Sequence, residues 1–253
     1  MPEAVTQPES SIQPLSEGQR IVDTFIAPSK TFTDVLRNGS WWAPFLILVI
    51  VSTAFSFTVQ KKIGWETVYD NTINQTPKVK QMLATLPADQ QAIARQKGIA
   101  RQPYSAYGAP VFLLIFTAIF TLLVWPTINF GFGGTAKFGK LFAVFVYASL
   151  ISYSAKYLLA IIAIVAGLSP EAFNFNNPVG TNIGYYLAGG DSKLWLVTLG
   201  TFFDVFGLWS LFITGIGCGI VGRVKRGGAM AAVIGWWAIF LLLAVGVSAA
   251  FGG

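Results

Sequence analysis

Five apolar runs set what this chain can become. They extend approximately from Pro44 to Val59, Pro110 to Phe130, Leu141 to Gly167, Trp195 to Val221 and Ala229 to Phe251. A helix needs about 20 apolar residues to cross about 30 Å of hydrocarbon. Only two charges interrupt the runs, Lys156 in the third and Asp204 in the fourth. Charged residues make up 11% of the chain, about half the share of a soluble domain, so most of the surface must face lipid or other membrane helices. These features predict an all-α integral membrane protein with five transmembrane helices. The first run is short and borrows Trp41 and Trp42 as an interfacial belt. Trp125 with Pro126 marks a kink in the second.

The runs leave two substantial segments outside the hydrocarbon. Residues 1 to 15 are rich in Pro, Glu, Gln and Ser, bury too little apolar surface to fold, and show no signal-peptide pattern. The tail is set at 1–19 and the folded membrane domain at 20–253. Ile21, Val22, Phe25 and Ile26 then share one helical face, and after Pro28 a second helix gathers Phe32, Val35 and Leu36. Two short amphipathic N-terminal helices follow, lying in the interface or capping the bundle. The long connection 61–108 reads as a small helical hairpin or a flexible loop, with Pro87 opening a helix and Gly98 stopping it. Its seven basic residues against three acidic ones would attract anionic lipid headgroups or an acidic partner. A solvated surface is the simpler account, because those charges alternate with Gln and Ala.

Short connections fix orientation, since long ones translocate largely regardless of charge. Lys137 and Lys140 follow the second run and Arg223, Lys225 and Arg226 follow the fourth, which puts the N-terminus in the cytoplasm and the C-terminus outside. Lys61 and Lys62 argue the other way.

With no histidine and one cysteine, Cys218, the chain has no Ser/His or Cys/His nucleophile, His-bearing zinc site or multi-cysteine metal centre. No catalytic, metal or cofactor-binding residue is assigned. Tyr69-Asp70 and Gly189-Gly190-Asp191 hint at an intramembrane aspartyl protease, but these carboxylates lie in connections, and a catalytic pair must share a proton. Gly131, Gly133 and Gly134 lack the Lys-Ser/Thr ending of a phosphate loop and read as a turn.

A charge at membrane depth is costly unless paired or hydrated. Taking the third and fourth runs as antiparallel, Lys156 lies about 16 Å and Asp204 about 13 Å from the same surface. An ion pair between them would dock the two helices; separate snorkelling of Lys156 is the alternative. As a proton or ion relay, the same groups would instead make a small transporter or channel. The runs lack the polar series and paired broken helices that transport usually shows. Gly215 and Gly219 share a helical face and permit close helix approach, within the monomer or across a homo-oligomer.

The segment FIAPSKTFTDVLRNGSWWAPFLIL, Phe25 to Leu48, resembles the entry motif of the Yip family, the Ypt/Rab-interacting-protein membrane domain, in its bacterial form. DVFGLWSLFITGIGCGIV, Asp204 to Val221, is similar to that family's fourth helix in its Asp, Trp209 and glycine positions. AKFGKLFAVFVYASLIS, after the glycine turn, fits the entry to the third. The resemblance extends from about Arg20 to the C-terminus. Where many relatives carry a proline, this chain has Ser152-Tyr153-Ser154, and Lys156 lies outside the family pattern. The resemblance implies a non-enzymatic multi-pass protein of the bacterial inner membrane with a cytoplasmic N-terminus. Eukaryotic relatives are tied to Rab-type GTPases, but no matched residue carries that activity here. The expectation is an adaptor, scaffold or membrane-organising factor. Its partners are the lipid bilayer and a protein at the N-terminal region or first connection, with no nucleic acid.

Overall fold

A computed structural model describes residues 13–188 and 192–252, and five of its helices are long and apolar enough to cross a bilayer. The apolar runs dictate all five. The Pro/Glu/Gln-rich tail falls mostly outside the described residues, but its proposed end does not hold. Ser16 accepts from the Gln19 amide at 3.2 Å while Gln19 accepts from the Ser16 amide at 2.8 Å, a reciprocal cap that starts α1 (Glu17–Ile26) inside the expected tail. Pro28 occupies the first turn of α2 (Pro28–Arg37), where its missing N–H costs nothing.

The two N-terminal helices form a cap on the bundle. Phe32 and Val35 of α2 are fully buried, packed with the third and fourth spans. The Lys140 ammonium donates to the Leu36 carbonyl, satisfying an acceptor at the end of α2. The outer side of α1 is another matter: Val22, Phe25 and Ile26 are exposed.

Span one is α3 (Trp42–Lys62), longer than the apolar run at both ends. Trp41 stacks on Trp42 and meets Phe142 edge-on at 5.3 Å, tying this entry to the third span. The connection after it is helical: α4 (Trp65–Asn74), α5 (Pro77–Ala84) and the first part of α6 (Ala88–Pro126). Gly98 does not stop a helix, as its sequence context suggested, but lies inside α6. A Cβ there would sit 2.2 Å from the Tyr69 ring, so the glycine allows α4 to press against α6. Pro87 stands one position early, as the N-cap of α6. Pro126 closes that helix and a π turn, Thr127–Gly131, follows, so the backbone changes its hydrogen-bonding pattern at the proline.

The third span comprises α7 (Phe138–Ser149), a π segment at Leu150–Ser154 and α8 (Ala155–Val165). A short helix, α9 (Ile183–Leu187), precedes the fourth apolar run. That run is not continuous. It divides into α10 (Leu194–Phe202) and α11 (Val205–Gly222), because Phe203 and Asp204 leave helical geometry between them. The last span, α12 (Arg226–Gly252), packs against both pieces.

Two apolar cores result. The larger joins the cap to the near halves of the spans through residues such as Phe32, Ile128, Leu141, Tyr147 and Ile213. The smaller, at the opposite end, gathers Phe55, Val59, Val68, Ile164 and Phe173. The π segment and the break in the fourth run lie at the junction between them.

Candidate functional site

Asp204 is where an aspartate is most useful to a helix. As N-cap of α11 its Oδ1 accepts from the Gly207 amide at 2.9 Å, satisfying one of the orphan donors of the first turn. Its other oxygen, Oδ2, accepts from the Thr181 hydroxyl and, at 3.4 Å, from the Asn182 amide. The loop carrying these donors is held by a backbone bond from Val205 N–H to the Thr181 carbonyl at 3.0 Å and by paired side-chain amides of Asn177 and Asn182. Oδ2 also meets the Lys156 ammonium at 3.0 Å.

The sequence-derived ion pair is thus present in the structure, and so is its antiparallel setting. The depth differs in origin. Asp204 marks a helix terminus, and Lys156 lies two residues beyond the π segment at the start of α8. Tyr157 next to it stacks on Phe55 of α3 with centroids 4.6 Å apart. Phe55 is about 10 Å short of Lys62 along that helix, so the pair lies well toward the end of the spans opposite the cap. Ser152, Tyr153 and Ser154 lie inside the π segment, and Ser154 Oγ is buried there without a hydrogen-bond partner. π turns carry an extra residue and often mark functional positions.

A cavity of about 860 Å³ opens beside the pair, bordered by Ser52, Ser149, Ser152 and Ser210 as well as Lys156 and Asp204. Hydroxyls reach it from four different spans, Thr117 of the second among them, a convergence invisible in any single run. Several are already engaged: Ser149 donates to the Phe145 carbonyl, Ser210 to the Ala148 carbonyl and Thr214 to the Ser210 carbonyl.

The other proposed site residues divide by what they touch. A Cβ on Gly215 would come within 2.5 Å of the Met230 sulfur, and one on Gly219 would lie 3.6 Å from the Ala229 methyl. The glycine face is therefore covered by α12 of the same chain. Between them Gly217 faces the other way, where a Cβ would meet Val144 at 2.4 Å and Phe32 at 2.9 Å, so this glycine admits the cap. Trp209 stacks on Phe212 on the outer surface of α11 and touches neither charge of the pair. Asp70 is engaged by Arg95 at 2.8 Å, as is Glu66 at 2.6 Å, and Asp191 lies outside the described residues.

A second charged cluster escaped the sequence reading. Arg20, only 1% exposed, donates from Nε to Asp34 Oδ2 at 2.6 Å, and Arg37 grips Oδ1 of the same carboxylate at 2.8 Å. Glu17 contacts Arg20 at 3.5 Å and accepts from the Tyr147 hydroxyl of the third span at 3.0 Å. Burial by itself would raise the Asp34 carboxyl, but the hydrogen bonds from Arg37 and Arg20 outweigh it and hold it below the ordinary carboxylate range. Thr31 of α2 donates to the Arg20 carbonyl and so joins α2 to α1, while Thr24 donates to the same carbonyl from within α1. The helix α1 therefore turns Arg20, Thr24 and Ile21 toward the bundle and Val22, Phe25 and Ile26 outward, splitting the face the sequence suggested. Its amphipathic pattern was legible; the direction of its faces was not. For Asp204 the signal was weaker: an aspartate can cap a helix, but here apolar residues flank it on both sides.

Compared with known protein families, residues 22–247 match the Yip1 domain. No curated protein and no solved structure matches the chain.

Proposed function

Because the chain belongs to the Yip1 domain family, whose pattern spans nearly all of it, we propose that it is a non-enzymatic membrane adaptor that holds a rigid docking platform at one membrane face. One observation carries this: the cap is fixed to the bundle by Arg20, Asp34 and Tyr147, yet Val22, Phe25 and Ile26 of α1 point away from that attachment and are exposed. An apolar stripe on an immobilised helix suits a groove on a partner protein. The cap faces the cytoplasm and the C-terminus lies outside a bacterial inner membrane. Lys137, Lys140, Arg223, Lys225 and Arg226, all in short connections at the cap's end of the spans, support that orientation.

The absence of histidine is consistent with a non-catalytic role. A relay through Asp204 is not favoured, because its oxygens are occupied and the neighbouring serine and threonine hydroxyls donate to backbone carbonyls.

Photo-activatable residues at Val22 and Ile26, introduced in living cells, should both yield the same protein adduct, with none from Lys30 on the neighbouring helix. In a Cys218→Ser background, cysteines at those two positions should react with an impermeant maleimide only after the cells are opened. Lipid adducts alone would remove the adaptor role, labelling of intact cells would reverse the orientation, and solute flux in proteoliposomes abolished by Asp204→Asn would reinstate transport.

A further inference from the structure

The cavity beside Lys156 joins a charged group to a long aromatic wall. At about 860 Å³ it falls within the range of about 300–1,000 Å³ typical of ligand sites. Along α6 its wall passes from Gln102 and Ser105 through Phe112 and Phe116 to Phe120, roughly 27 Å of helix that starts polar and ends aromatic. Phe112 and Phe116 are exposed on the flank of a membrane span, so the slot opens sideways toward lipid and not only toward water.

The hydrogen-bond inventory at its middle is unequal. Asp204 accepts from Thr181, Asn182, Gly207 and Lys156 and has little capacity left. An ammonium carries three donors, and the Lys156 group, 19% exposed, gives one of them to Asp204. What remains faces the cavity as donor capacity beside the aromatic slot. Near either end of a membrane span a lipid phosphate lies within a lysine's reach, and an ammonium binds phosphate as a compact point charge.

We propose that this crevice binds one glycerophospholipid, its phosphate hydrogen-bonded by Lys156 and one acyl chain laid along Phe112, Phe116 and Phe120. The Asp204 contact orients the ammonium, and the π segment moves the lysine round the helix axis relative to an unbroken α-helix. The lipid is a component of the fold's working form, whether or not the cap recruits a partner.

The full chain in nanodiscs is exchanged into detergent and its retained molecules are weighed by native mass spectrometry. The probes are phosphatidylglycerol, a diacylglycerol with the same chains, and inorganic phosphate. One phosphatidylglycerol per chain should survive dilution, with the diacylglycerol held at least tenfold less well and inorganic phosphate failing to displace the lipid. Lys156→Met should lower retention more than tenfold, and Lys156→Arg should preserve most of it. Ala109→Trp fills the slot while leaving Lys156 and Asp204 in place, and it should abolish retention in a protein that keeps its helical circular dichroism and monodisperse elution. Equal retention of diacylglycerol, displacement by inorganic phosphate, or full retention in a folded Lys156→Met or Ala109→Trp protein each overturns the assignment.

Discussion

Lys156→Met loosens the third span from the fourth and lowers stability by about 3–5 kcal/mol, because it strips the partner from a carboxylate that stays largely buried. Asp204→Asn should cost less. Asparagine caps helices as well as aspartate does, so the bond from the Gly207 amide survives. The double variant should therefore be more stable than the sum of the two single losses predicts, by about 0.5–3 kcal/mol. Thermal or denaturant unfolding of the four proteins in one detergent reads that coupling. Simple additivity would mean that the 3.0 Å contact carries no energy and that Asp204 serves α11 through its cap alone.

Arg20→Met should release the cap. It leaves the Asp34 carboxylate with Arg37 as its remaining cationic partner and takes the charge away from beside Glu17, at a cost of about 3–5 kcal/mol. The loss is local in its readout: amide exchange across Glu17–Arg37 should rise sharply while the five spans keep their protection. Acid does the same thing reversibly. The Asp34 carboxyl is held below its ordinary value, so its contribution is complete above the unfolded-state value of about 3.9 and declines as pH falls through the lower folded-state value. Asp34→Asn should remove most of this acid sensitivity. A cap that exchanges equally slowly with and without Arg20 would show that Phe32 and Val35 suffice to hold it.

Five spans, the turn at Gly131 to Gly134 and the end of α6 at Pro126 follow from hydrophobic length and from the backbone limits of proline and glycine. These are local quantities, and the chain states them in order. The Lys156 to Asp204 pairing was also within reach, since two lone charges in adjacent antiparallel spans leave few alternatives. The reason Asp204 is there was harder to see: the mostly apolar stretch Val205–Gly222 and the apolar α10 before it outweigh one capping residue in any average over the run. Gly98 misled for the opposite reason. A glycine reads locally as a stop, but here its missing side chain makes room for Tyr69, a residue on another helix.

Sequence alone determined the membrane class, the number of spans and the lack of histidine chemistry, because each depends on composition or on residues close in the chain. Tertiary structure decided which face of α1 turns inward, how Arg20 finds Asp34 and Tyr147, which helix covers Gly215 and Gly219, and where the hydroxyls gather around Lys156. Those outcomes depend on pairings between elements that are far apart in the chain. A helical pattern fixes the faces of a helix, but only the neighbour it packs against decides which face is buried.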